Sequence, residues 1–364
     1  MKVALLGAGH IGQTIARLLH GCSDYQVTVV DQSAPALARL ALGGIQTQRV
    51  DSADPQALAV ALLGQETVVN ALPYHLALGC AQAALAAGCN YFDLTEDVFA
   101  TREIKRLAEH AGTAFMPQCG LAPGFIGIVA HHLAKSFESL QDVKMRVGAL
   151  PAFPTNALKY NLTWSVDGLI NEYCHPCESI HDGKNIEVLP LEGLEHFSLD
   201  GTEYEAFNTS GGLGTLCETL AGRVRNLDYK TVRYPGHRDL MMMLLDDLQL
   251  KSDQETLKNI MRRSMPATMQ DVVLVFVTVS GVRAGTLVQE VFARKIFADR
   301  DERAPLSAIQ ITTAAGICAA VDLFREGRLP RHGFIRQEQV ELPAFLANRF
   351  GSAYQQSRQV ESIG

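Results

Sequence analysis

The stretch Lys2-Val3-Ala4-Leu5-Leu6-Gly7-Ala8-Gly9-His10-Ile11-Gly12 decides the fold. A strand-length apolar run leads straight into G-x-G-x-x-G, which opens an amphipathic segment over residues 11–19. A second apolar run, residues 27–30, ends in Asp31, which stands 19 residues after Gly12. That order and spacing form a dinucleotide fingerprint. Gly7 permits the tight turn, Gly9 lets the backbone approach a pyrophosphate, and Gly12 lets helix and strand pack closely. The helix start at His10 and Ile11 offers unpaired N–H groups and a positive dipole end to the phosphates. Asp31 is placed to accept both ribose hydroxyls and to repel a 2′-phosphate. Gln32 and Ser33 supply no Arg for that phosphate, so NAD rather than NADP is the expected cofactor.

Outward from this motif, short apolar runs at 45–50, 67–72, 91–94 and 114–116 alternate with helical patterns at 57–63, 75–87 and 104–111. The βαβα rhythm predicts a parallel sheet covered by helices, and continuous apolar strands fit burial on both faces. Asp54-Pro55 marks a helix start. The segment Val69-Asn70-Ala71-Leu72-Pro73 ends the fourth strand. Ligands of such sheets lie beyond the strand C-termini near the switch point, so Asn70, Ala71, Leu72 and Pro73 are expected to border the nicotinamide ribose. Asp51 is placed either to meet the adenine or to share helix capping with Ser52 and Asp54.

After Ala122-Pro123-Gly124 the rhythm changes. A helix over 124–135 and a strand over 143–150 lead to strands separated by turns, at His181-Asp182-Gly183-Lys184-Asn185 and Leu199-Asp200-Gly201-Thr202. Residues 272–282 and 286–297 flank Arg283-Ala284-Gly285 as a long hairpin, and 307–325 form an Ala-rich helix. The expected class is α/β. A Rossmann-type NAD-binding domain covers 1–123 and an inserted, largely antiparallel α+β catalytic and oligomerisation domain covers 124–306. A C-terminal segment, 307–364, returns to pack on the Rossmann domain.

Bulk properties narrow the partners. The chain has 364 residues and a net charge of −7, which disfavours nucleic acid. The same balance disfavours an anionic membrane surface. No run reaches the roughly 18 apolar residues of a membrane span, and Gly7 and Gly9 interrupt the start in a way no signal peptide shows. Eight scattered cysteines fit reduced thiols in a cytoplasmic protein. Cys174-His175-Pro176-Cys177 lacks a second ligand pair at zinc-site spacing, so no metal is expected. Met241-Met242-Met243 reads as an apolar helix face in the core or at a subunit contact, and a homodimer or homotetramer is expected.

Beyond the fingerprint, the chain resembles the saccharopine dehydrogenase-like superfamily, and within it the lysine 6-dehydrogenases most closely. The residues that carry this are Val69-Asn70-Ala71-Leu72-Pro73, Gly120-Leu121-Ala122-Pro123-Gly124 and Tyr160-Asn161-Leu162-Thr163-Trp164-Ser165. To these add Glu205-Ala206-Phe207-Asn208-Thr209-Ser210-Gly211-Gly212 and Lys230-Thr231-Val232-Arg233-Tyr234-Pro235-Gly236-His237. The resemblance implies NAD-dependent oxidation at a carbon bearing an amine, namely the ε-amine of L-lysine, giving 2-amino-6-oxohexanoate and ammonia. The alternative within the fold is a saccharopine-type dehydrogenase acting on a secondary amine between an amino acid and a keto acid. Outside it stands a non-catalytic NAD(H)-sensing protein.

Amine oxidation makes demands on side chains. The amine, with an unperturbed pKa of about 10.4, must lose its proton before hydride leaves. The substrate carboxylate wants a fork of donors. Arg233 is the candidate for the carboxylate, and His237 for proton transfer or a polar contact. Asp93, ending the fifth strand, is a candidate contact for an amine. Tyr160 and Trp164 are expected to line an apolar wall, although the chain's single Trp equally suits a core. Thr209 and Ser210 are expected to meet substrate or cofactor.

Overall fold

The computed structural model describes residues 1–299 and 305–355; the parts of the expected domains at 300–304 and 356–364 lie outside the described residues. The chain forms two compact units. Met1–Ile128 with Thr312–Ala353 make the first, and residues 129–311 with the described residues from Tyr354 onward make the second. Both changeovers fall inside helices, Phe125–Ala134 and Ala308–Arg325.

The first unit holds a seven-stranded parallel sheet. Its strands are β1 (Lys2–Leu6), β2 (Gln26–Asp31), β3 (Gln46–Arg49), β4 (Thr67–Asn70), β5 (Asn90–Asp93) and β6 (Ala114–Met116). The order is 3-2-1-4-5-6, and a two-residue strand, Gly333–Phe334, extends it beside β6. This is the doubly wound order of dinucleotide-binding sheets. Ala4, Leu6, Val30, Val68, Tyr91 and Phe115 pack with Cys80, Ala81 and Ala84 of helix Ala77–Ala86 and Ile104 of helix Val98–Ala108. The small residues of Ala77–Ala86 let that helix lie close on the strands.

The second unit is built on strands β7 (Ser139–Pro151), β8 (Cys177–His181), β9 (Lys184–Val188), β10 (Glu195–Leu199), β11 (Thr202–Asn208), β12 (Val224–Arg233), β13 (Asp271–Arg283) and β14 (Thr286–Phe297). The main path is β10-β11-β12-β7-β13-β14. All of its pairs are antiparallel except β12 with β7, so the sheet is mixed. The three expected turns are tight hairpins. Asp182-Gly183, Asp200-Gly201 and Ala284-Gly285 all have positive φ, the type I′ geometry that matches strand twist.

Among the described residues, Ala308–Arg325 is the one helix long and apolar enough to cross a membrane, and 83% of it is buried inside the protein. Its Asp322 is 1% exposed and accepts hydrogen bonds from Tyr25 Oη (2.5 Å), Asn348 Nδ2 (2.8 Å), Arg349 Nη2 (2.7 Å) and Arg325 Nε (3.1 Å). These bonds tie the returning helix and the 348–349 segment to the start of β2. Burial pushes the carboxyl pKa up, but the donors outweigh it and hold it at about 2. With an unfolded value of about 3.9, the stabilisation is complete above that pH and is lost as pH falls towards 2. Asp322→Asn should cost about 2–3 kcal/mol at pH 7, the stabilisation that a carboxylate held this far below its unfolded value contributes. Urea denaturation measures it, and an unchanged midpoint would contradict the clamp.

Candidate functional site

In the first unit, the candidate cofactor site lies at the switch point of the parallel sheet, between β1 and β4. Gly7 has φ 103, and a Cβ there would sit 2.9 Å from the Ala71 carbonyl oxygen, so the loops after β1 and β4 abut. A Cβ at Gly12 would lie 2.0 Å from the Gly7 oxygen; only glycine lets helix His10–His20 start so close to the strand. Gly9 differs. A Cβ there would meet no protein atom within 4 Å, so packing inside the protein does not require the glycine. A phosphate brought against the backbone does require it. No side chain caps the helix that follows Gly9, so the N–H groups of its first turn, at His10 and Ile11, are available to an anion. The residues fit a dinucleotide.

Asp31 Oδ2 accepts the Ala8 N–H at 2.6 Å and Oδ1 the Ser33 N–H at 2.7 Å, which fixes the carboxylate beside the glycine turn. Arg49 of β3 is the register partner of Asp31, and its Nε donates to the Gln32 carbonyl at 3.2 Å. The strand order thus brings a cation to the ribose end that the residues after Asp31 do not supply. Asp51 is exposed, and its Oδ1 accepts the Ala53 N–H at 3.0 Å, a local turn contact; Asp54 caps helix Pro55–Ala61.

At the C-terminal ends of β4 and β5, Asn70 donates to Tyr91 Oη (3.0 Å) and accepts the Leu72 N–H (3.1 Å), which shapes Ala71, Leu72 and Pro73. Asp93 is fully buried. Its Oδ2 accepts Tyr91 Oη–H at 2.9 Å, and its Oδ1 accepts the Thr95 and Gln118 N–H groups. Burial raises its pKa to about 6, against the pull of those donors. Expected to contact an amine, Asp93 has both oxygens engaged in ordering the ends of β5 and β6. Glu96, three residues on, was missed. Burial, with Asp97 and Asp93 adding, raises it to about 7.

The second unit holds a buried polar cluster of its own. Arg233 ends β12 and is 2% exposed. Its Nε donates to Tyr173 Oη at 3.1 Å, its Nη1 to the Val232 carbonyl at 2.9 Å, and its guanidinium lies 5.2 Å from the Tyr160 ring centroid. No described carboxylate pairs with it. Burial disfavours its charge, while Tyr173, Tyr160 and Glu172 around it favour the charged form. His237, wholly buried, opens helix His237–Met242. Its Nδ1 lies 2.9 Å from the Leu158 carbonyl and its Nε2 3.1 Å from Tyr173 Oη. A carbonyl only accepts, so Nδ1 carries the proton and Nε2 accepts from Tyr173.

The remaining expectations fall around this cluster. Tyr160 is in it, and Trp164 is half-buried against the apolar group of Tyr160, Leu169, Tyr173 and Phe207. Thr209 shares a 2.7 Å hydrogen bond with Thr231, and the Ser210 N–H donates to the Glu172 carbonyl at 3.1 Å. Tyr173 and Glu172 escaped the sequence reading because both sit in helix Val166–Cys174 with nothing to mark them. Cys174 and Cys177 are free thiols, and no group of metal-ligating side chains occurs among the described residues.

Residues 3–116 match the saccharopine dehydrogenase NADP binding domain and residues 120–349 the saccharopine dehydrogenase C-terminal domain. The chain belongs to the saccharopine dehydrogenase family. Its first unit is therefore an NAD(P)-binding domain. It is similar to the mitochondrial alpha-aminoadipic semialdehyde synthases of Rattus norvegicus (23% identical over 195 residues, 51% of this chain and 21% of the relative) and Bos taurus (24% over 226 residues, 55% and 24%). The chain thus spans under a quarter of the length of these relatives. Its fold is similar to that of apo saccharopine dehydrogenase (L-Glu forming) from Saccharomyces cerevisiae, with a TM-score of 0.79, 18% identity, and 94% of this chain and 96% of that one covered.

Burial lowers the His237 pKa to about 3, with the Arg233 charge adding to it and the Leu158 contact opposing. The unfolded chain takes up this proton below about pH 6.5. The stabilisation is therefore complete above that value and is lost as pH falls towards 3. His237→Gln should flatten the acid slope of stability by up to about 1.4 kcal/mol per pH unit between these limits. Urea denaturation at pH 4 to 7 reads this, and an unaltered slope would contradict a buried neutral ring.

Proposed function

We propose that this chain is a nicotinamide-dependent dehydrogenase that oxidises the carbon beside a nitrogen in an amino-acid substrate. The substrate class is a secondary amine joining an amino acid to a keto acid, as in saccharopine. Family membership across both units supports the reaction class. The observation that carries an amino-acid substrate is Arg233, a buried guanidinium that forms no direct ion pair with a described carboxylate, although Glu172 favours its charged form. Desolvating a charge costs several kcal/mol, and a carboxylate reaching Nη2, which has no hydrogen-bond partner among the described residues, would regain it through charge-assisted bonds.

A bound nicotinamide supplies the hydride acceptor. The chain's own residues bind and orient. Tyr173 accepts the Arg233 Nε–H and donates its own O–H to His237 Nε2, so the guanidinium plane is fixed before substrate arrives. His237, neutral and engaged at both nitrogens, serves this orientation, the polar-contact role of the two expected of it. Asp31 favours NAD, with Arg49 beside it moderating the preference.

A specific observation favours a second reading, lysine 6-dehydrogenase. A saccharopine-type substrate has several carboxylates, yet Arg225 pairs with exposed Asp182 and Arg238 holds Asp239 and the Leu191 carbonyl. Of these arginines only Arg233 lies in the buried cluster, which suits one carboxylate. Initial rates of nicotinamide reduction with L-saccharopine and L-lysine, each with NAD and NADP, separate the readings. Turnover of saccharopine with a preference for NAD is expected; turnover of lysine alone selects the second reading, and turnover of neither overturns both. Arg233→Ala should raise KM by about one to two decades with a smaller change in kcat, since the carboxylate contact changes little in the transition state.

A further inference from the structure

Two opposite charges lie buried side by side in the second unit without pairing. Glu205 on β11 and Arg233 on β12 are register partners in an antiparallel pair, and each is 2% exposed. Their side chains leave the same face at cross-strand distance, and in a low-dielectric interior a direct ion pair is the arrangement that electrostatics favours. The carboxylate goes elsewhere. Glu205 Oε2 accepts the Gly236 N–H and Oε1 the Arg238 N–H, both at 2.7 Å. It grips the peptide groups on either side of His237, at a turn where Gly236 takes φ 98. His237 Nε2 holds the Tyr173 hydroxyl, and that hydroxyl receives the Arg233 Nε–H.

We infer that Glu205 is the positioning residue of the anion seat. By holding the turn it fixes His237 and Tyr173, and through them the aim of Arg233. By being bound there itself, it leaves the guanidinium open to a substrate carboxylate instead of neutralising it across the strands. The inference deepens the proposed function and rests on Arg233 receiving that carboxylate.

The test is calorimetric titration of L-saccharopine, with L-lysine as second probe, into the full chain and its Glu205→Gln, Glu205→Ala and Arg233→Ala variants. NAD is titrated in parallel. Glutamine keeps the shape but only one acceptor for two backbone donors; alanine removes both. Glu205→Ala should weaken amino-acid binding about tenfold or more, as a displaced clamp does, with Glu205→Gln between it and the parent and NAD affinity unchanged. The ring ¹⁵N resonances of His237 should shift in both, a signature that loss of a helix cap elsewhere would not produce. Reduced thermal stability with unchanged amino-acid affinity and unchanged His237 resonances overturns the inference. If Arg233→Ala loses binding while neither Glu205 variant does, only the role of Glu205 fails. If Arg233→Ala binds like the parent, or the parent binds neither probe, the anion seat fails with it. Should Glu205→Ala not fold, Glu205→Gln decides.

Discussion

A guanidinium taken out of water with no carboxylate in direct contact is the constraint on which the second unit depends. Left alone it would cost several kcal/mol, and the surrounding residues reduce that cost without cancelling the charge. Tyr160 offers its ring, Tyr173 a hydroxyl and the Arg233 peptide neighbour a carbonyl. His237 completes the arrangement by accepting from Tyr173, and the helix that begins at His237 is anchored by the acid that would otherwise quench the arginine. β12, helix Val166–Cys174 and helix His237–Met242 each contribute a part.

The first unit solves a different problem with the same economy of parts. Its glycines remove side chains where backbone must meet backbone, at Gly7 and Gly12, and where backbone meets something other than protein, at Gly9. The chain of contacts from Asn70 through Tyr91 to Asp93 and on to the Gln118 N–H links the ends of β4, β5 and β6. A buried carboxylate serves here as a tie between strands.

Much of this was legible in the sequence because the signals are local. The glycine fingerprint, Asp31 at the end of β2, the hairpin turns and the step from strand to helix at Arg233 and His237 all lie within a few residues of what they determine. Arg49 was not legible: it reaches Asp31 only because β3 pairs with β2 after an intervening helix. Tyr173 reads as one more amphipathic helix position, and Glu205 as a polar residue in an alternating strand, where solvent is the ordinary destination. Asp93 was legible as a strand-end acid but its tie to the end of β6 was not, since the Gln118 N–H comes from a segment 25 residues away. The resemblance to the saccharopine dehydrogenase superfamily matches the family; the narrower likeness to lysine 6-dehydrogenases rests largely on second-unit motifs around Arg233, and a seat for one carboxylate does not choose among amines.

The central claim is that Arg233 is a receptor for a substrate carboxylate. A crystal structure of the protein with an amino-acid substrate tests it most directly. The account predicts a carboxylate on the Nη side of the Arg233 fork, with the Tyr173 and His237 contacts retained. A substrate held by other residues, with the guanidinium still facing no anion, would contradict it.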